Sequence, residues 1–114
     1  MCSKYAKTPG YNRYLAEINQ AEMARSAGNE GKARVCARRA ASILIDEYLH
    51  QLGIDTDSSN VYTLLKMMQV APGIPDEVRV VTHHFLMRIK PDGTLPEDID
   101  LIADVHWLEA KLLV

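Results

Sequence analysis

Cysteine is scarce in this chain: Cys2 and Cys36 are the two it has. Two thiols are a poor basis for a disulfide framework. Cys36 falls inside a helical pattern and Cys2 in a tail, so both are expected as reduced thiols of a cytoplasmic protein. Long apolar runs are also missing, and no stretch approaches the length that spans a bilayer. The start, MCSKYAKTPG, carries two lysines with no apolar segment behind them, which predicts no signal peptide and no membrane partner. Phosphate loops of the Gly-x-Gly-x-x-Gly or Walker type do not occur, nor does a Gly-x-Ser-x-Gly nucleophile signature. No segment reads as a strand with turns on both sides.

What remains is helical. The 114 residues suit one domain, and 47% apolar with 25% charged residues is the balance of an ordinary globular chain. Residues 1–10 read as a tail ending at Pro9-Gly10. From there to residue 114 the pattern predicts an all-α, up-and-down bundle of four to five helices. Tyr11, Tyr14, Leu15, Ile18 and Ala21 recur at helical spacing up to a stop at Gly28. Ala33, Cys36, Ala37, Ala40, Leu44, Tyr48 and Leu52 form the stripe of a second helix that closes at Gly53, and the small residues of its front half allow a close neighbour. A short third helix carries Val61, Leu64, Leu65 and Met68, with Asp57, Ser58 or Ser59 as its cap. After the break at APGIP, Pro75, Asp76 and Glu77 open a fourth helix. It is predicted to run to about Ile89 with Val78, Val81, Phe85 and Ile89 inward. Thr94-x-x-Glu97 reads as a capping box for the last helix. That helix has one apolar edge at Leu101, Ile102, Val105, Leu108 and Leu112. A second follows Ile99, Ala103, Trp107 and Leu113, a surface wide enough to face a partner.

Charge is uneven. Residues 1–45 hold eight Lys/Arg and three Asp/Glu, a balance of +5, whereas residues 46–114 hold five and twelve, a balance of −7. The plainer reading is two solvated faces that help helices or subunits dock. The sharper one is that the basic part meets an anion such as RNA or a nucleotide. Arg34, Arg38 and Arg39 on the second helix are the candidates for gripping phosphate, with Arg34 and Arg38 one turn apart. Pairing with Glu97, Asp98, Asp100 and Asp104 is the competing use. Tyr5, Tyr11, Tyr14 and Tyr62 can stack bases or simply pack.

Metal and acid–base chemistry have few candidates. Glu47 and His50 make one Glu-x-x-His pair, but di-iron bundles need a second copy and two more inward glutamates. His83, His84 and His106 do not assemble a zinc site by spacing alone. No metal and no cofactor is expected. Arg79-Val-Val-Thr-His83-His84 offers a different chemistry. Histidine moves protons near neutral pH, and arginine holds a phosphate and the charge growing on it, which together suit RNA cleavage without metal. Arg79 and His83 share a helix face, whereas His84, five residues on, diverges from Arg79 by about 140°. The plainer reading pairs Arg79 with Asp76 or Glu77 and packs one histidine beside Phe85.

The run Ala21 to Ala41, AEMARSAGNEGKARVCARRAA, resembles the first two helices of the HEPN domain (higher eukaryotes and prokaryotes nucleotide-binding domain). There a first helix ends in a small break and a second carries closely spaced alanines. Arg79-x4-His84 is similar to that family's Arg-x4–6-His motif, and the resemblance covers about residues 11–113. It departs from the active pattern in having Val80 after the arginine, where the family usually has a polar residue. The resemblance implies a helical bundle that dimerises, here through the last helix. It also implies either of two functions. One is a module that binds a nucleotide, RNA or a partner protein. The other is a metal-independent endoribonuclease of toxin type, with Arg79 and His84 as the catalytic pair, His83 a rival, and a nucleotidyltransferase-like antitoxin as partner. A generic helical adaptor without that kinship is the third reading.

Overall fold

In the computed structural model, which describes residues 9–56, 60–93, 95 and 99–112, five α-helices account for the regular structure. They are α1 (Pro9–Ser26), α2 (Glu30–Gln51), α3 (Val61–Val70), α4 (Asp76–His84) and α5 (Leu101–Leu112). Consecutive helices pack on one another, and α5 closes the bundle by returning to α2 and α1. The longest helix, α2, is therefore central, touching α1, α3 and α5.

Pro9 is already helical, so α1 starts two residues before Tyr11. A proline suits the first turn because its missing N–H would have no partner there. Tyr14, Ile18, Ala21 and Ala24 face inward, whereas Leu15 is exposed. The helix ends in two crossed bonds, from the Asn29 amide to the Ala24 carbonyl (2.8 Å) and from the Gly28 amide to that of Arg25 (2.9 Å). This closure requires the left-handed backbone that Gly28 adopts at φ 80°. Asn29 then caps α2, its side chain accepting from the Lys32 amide at 3.1 Å. One residue thus ends a helix and starts the next, and the two are clasped as a hairpin. Ala33, Ala37, Ala40 and Ala41 are fully buried along α2, with Cys36 buried beside them. Leu44, Ile45 and Leu49 continue the same inner surface, while Leu52 lies outside it, in the turn after the helix.

Later boundaries differ from the sequence expectation. The cap of α3 is Asn60, whose side chain accepts from the Thr63 amide at 2.8 Å. Asp57, Ser58 and Ser59 lie outside the described residues. Helix α4 stops at His84, five residues short of Ile89, which is 44% exposed. Its end tightens into three-residue bonds, Phe85 to Thr82, Leu86 to His83 and Met87 to His84. The backbone then leaves the helix ahead of Pro91, whose ring disfavours helical geometry in the residue before it. Val78 and Phe85 face inward as expected, and Val81 is half-buried. Helix α5 begins at Leu101, where Asp100 Oδ1 accepts from the amides of Ile102 (3.1 Å) and Ala103 (3.2 Å). Thr94 and Glu97 lie outside the described residues. Leu101, Ile102, Val105, Leu108 and Leu112 are buried. Ile99 and Trp107 pack partly against the core and Ala103 is exposed. No strand occurs among the described residues.

Candidate functional site

Arg79 sits on the first turn and a half of α4, facing the end of α3. Three carbonyls there need donors, and the intervening Ala71-Pro72-Gly73-Ile74-Pro75 supplies few because proline has no N–H. The guanidinium fills the gap. Nη2 donates to the Ala71 carbonyl (2.6 Å), Nη1 to that of Gln69, and Nε to that of Ile74 at the longer distance of 3.4 Å. Gln69 answers with Nε2, donating to the Arg79 carbonyl (3.0 Å) and the Thr82 hydroxyl (2.8 Å). Thr82 is fully buried and its hydroxyl lies 3.0 Å from the Val78 carbonyl. The result is a network that fixes the α3–α4 corner, with each side-chain nitrogen of Arg79 bonded to a main-chain carbonyl.

The histidines go elsewhere. His84 Nδ1 lies 2.9 Å from Asp104 Oδ2 on α5, with both side chains mostly buried. An Nδ1–H donated to that carboxylate makes Nε2 the free, proton-accepting nitrogen. Burial pushes the Asp104 carboxyl above its usual range, against the opposing pull of the His84 bond. His83 is exposed. Among the described residues, no hydrogen bond or ion pair links Arg79 to either histidine. The structure thus gives the two halves of the Arg-x4-His pair separate partners, one on α3 and one on α5. Asp104 is the residue that sequence reasoning assigned elsewhere. It lies 20 positions from His84, and only the return of α5 against α4 brings the two together.

The three arginines of α2 also separate. Arg39 is exposed. Arg34 and Arg38 turn toward the α4–α5 connection: Arg34 Nη2 donates to the Gly93 carbonyl and Arg38 Nε to that of Phe85, each at 3.0 Å. Neither pairs with Asp100 or Asp104. Arg25 takes Asp100 (2.9 Å) and Glu30 (2.6 Å), leaving Arg34 a distant contact of 3.8 Å to Glu30. Glu97 and Asp98 lie outside the described residues. The Arg25 guanidinium holds the Glu30 carboxyl below its usual range; Asp100 is also lowered, the Arg25 and amide bonds outweighing its burial.

Tyr14 is a core residue and Tyr11 packs against it. Tyr11 and Tyr14 donate to the Glu109 carboxylate at 3.3 and 3.0 Å, joining α1 to α5. Burial, reinforced by Glu109, raises the Tyr14 hydroxyl well above its ordinary range. Tyr62 is exposed beneath the Lys66 ammonium, 4.8 Å from its ring centre. Tyr5 lies outside the described residues. Glu47 and His50 diverge: Glu47 accepts from Gln51 (3.3 Å), while His50 Nε2 meets the Thr56 hydroxyl (2.8 Å), which also donates to Asp46. His106 meets Glu22 at 3.1 Å. Among the described residues, no three His, Cys, Asp or Glu side chains gather where one metal ion can be held. No described helix is long and apolar enough to cross a membrane. Compared with family models, curated proteins and solved structures, the chain matches none.

Proposed function

We propose that this chain is a HEPN-like helical module that binds a phosphate-bearing ligand, RNA or a nucleotide, without cutting it. One observation carries the reading: each nitrogen of the Arg79 guanidinium is bonded to a main-chain carbonyl of the α3–α4 corner, so the group is held as a structural tie. A cleavage site needs that charge at the scissile phosphate, and freeing it here opens the α3–α4 corner. The second reading, a metal-independent endoribonuclease, draws on a different observation. His84 is held by Asp104 with Nε2 free, the arrangement of an oriented general base. A second copy of the chain, docking along the Ala103, Trp107 and Ala110 edge of α5, is the family-like assembly to look for by sedimentation.

The test is an RNA incubation in EDTA with wild type, Arg79→Ala and His84→Ala. Binding without strand scission is the expected result for wild type. Arg79→Ala is expected to lose about 2–3 kcal/mol of stability, by urea denaturation, because helix-end carbonyls lose charge-assisted donors. Its affinity for RNA should hold under conditions where it stays folded. Scission by wild type that vanishes in both folded variants overturns the binding-only reading in favour of the nuclease.

A further inference from the structure

We propose that Arg34 and Arg38 form a phosphate site where α2 meets the α4–α5 connection, taking the phosphate of a free nucleotide or of an RNA strand. This deepens the binding reading above and rests on it.

Both guanidiniums are pre-placed. Each uses one donor on a carbonyl of the connection, Gly93 for Arg34 and Phe85 for Arg38. Those two bonds fix side chains that are otherwise rich in rotamers, so a ligand has little left to order. Both are also under-compensated. The Arg34 side chain is 13% exposed, and its Nε is buried without a hydrogen-bond partner. A buried donor without an acceptor is destabilising, and native structures rarely leave one. Arg38 has no carboxylate partner among the described residues. Glu30 and Asp100 are committed elsewhere: Glu30 is bonded by Arg25 through both oxygens, at 2.6 and 3.2 Å, and Asp100 likewise at 2.9 and 3.1 Å. Arg25 holds the short contacts to both, and Arg34 reaches Glu30 only at 3.8 Å. Burial, and after it the Arg34 charge, pulls the Arg38 guanidinium below its usual range.

An anion at this point answers the excess charge and supplies acceptors to the unused donors. Phosphate fits better than carboxylate. One guanidinium fork saturates the two oxygens of a carboxylate, whereas two forks one helical turn apart present donors to a group with three or four oxygens. Arg39, next in sequence and exposed, lies outside the pair and adds only to the general field that attracts an anion.

The experiment follows the arginine Nε–H signals of the full-length protein by NMR. Inorganic phosphate, adenosine monophosphate and a short single-stranded RNA are titrated separately into wild type, Arg38→Gln and Arg39→Gln. The expected result is saturable movement of the Arg34 and Arg38 signals with phosphate. Affinity should weaken about tenfold or more in Arg38→Gln and change less than about twofold in Arg39→Gln. Movement with phosphate and nucleotide but not RNA supports the site with a small ligand as its source; movement with RNA as well supports the strand. RNA binding that leaves both signals still overturns the site while the binding reading stands. No movement with any probe overturns it too, as does equal weakening by the two variants, which marks a diffuse field. Should Arg38→Gln fail to fold, the wild-type titration alone decides.

Discussion

Arg25 shows what a single side chain does when two acids converge on it. It joins the end of α1 to the start of both α2 and α5 through Glu30 and Asp100, and both carboxyls are lowered in the folded state. A lowered carboxyl stabilises the fold above its unfolded value and ceases to do so as pH falls through its folded one. The ordinary values are 4.5 for Glu and 3.8 for Asp, so the contribution is complete near neutrality and gone in strong acid. All three side chains are more than a third exposed, so solvent screening keeps the total at about 1 kcal/mol or less. Arg25→Ala is thus expected to lower the urea midpoint slightly at pH 7 and to match wild type at pH 2. A difference that persists at pH 2 shows that packing of the arginine stem, not the ion pairs, is responsible. The sequence marks Arg25 only as one cation among eight in its half. Arg79 was hidden for a similar reason. Its spacing to His84 is readable from residue numbers, but the carbonyls it serves exist only once α3 has ended at Ala71. A residue's chemistry is written in its type; its partner is written in the fold.

Elements were easier to read than residues because their cause is periodic. The alanine stripe of α2, the aliphatic face of α5 and the stops at Gly28 and Gly53 follow from spacing and from the special backbone of glycine. The misplaced ends have local causes invisible to periodicity. Asn60 and Asp100 take the caps because their side chains reach amides two or three residues on. Helix α4 closes early on its tightened bonds at Phe85, whose carbonyl accepts a hydrogen bond from Arg38 Nε on α2. Gly28 gives the sharpest test of an element's end. A Cβ added there meets nothing within 4 Å, so only the φ of 80° opposes a side chain. Gly28→Ala is expected to lose about 1 kcal/mol with no change in the core, measured by denaturation together with NMR chemical shifts of Ile18 and Ala37. A loss several times larger means that the α1–α2 clasp itself has come apart.

At the scale of the whole molecule, the arrangement of contacts sets an order of stability. Helix α2 spans 22 residues, is lined with side chains at or near zero exposure, and is covered by three other helices. Helix α4 spans nine residues, has no side-chain cap at its start, and rests on α3 and α5 alone. Polar links add to its hold: Arg79 with Gln69 at one end, His84 with Asp104 at the other, and Arg38 on the carbonyl of Phe85, the residue just past its end. Ile74, Val78 and Phe85 are buried here, but Val80 on its outer face and Val70 at the end of α3 are 59% and 80% exposed, so its apolar contact is one-sided. Local opening draws on regions with few buried apolar contacts, whereas amides of a covered helix exchange only when much of the fold opens. Hydrogen exchange is therefore expected to be slowest between Ala33 and Leu49 and fastest, among the helices, in α4. The Phe85–Gly93 connection should be faster still. Phosphate at millimolar concentration should slow α4's C-terminal turn and that connection together, since Arg34 and Arg38 tie the proposed site to the Gly93 and Phe85 carbonyls. Protection in α4 equal to that in α2 contradicts this hierarchy. Slowing confined to α2 separates the anion from the connection it is proposed to stabilise.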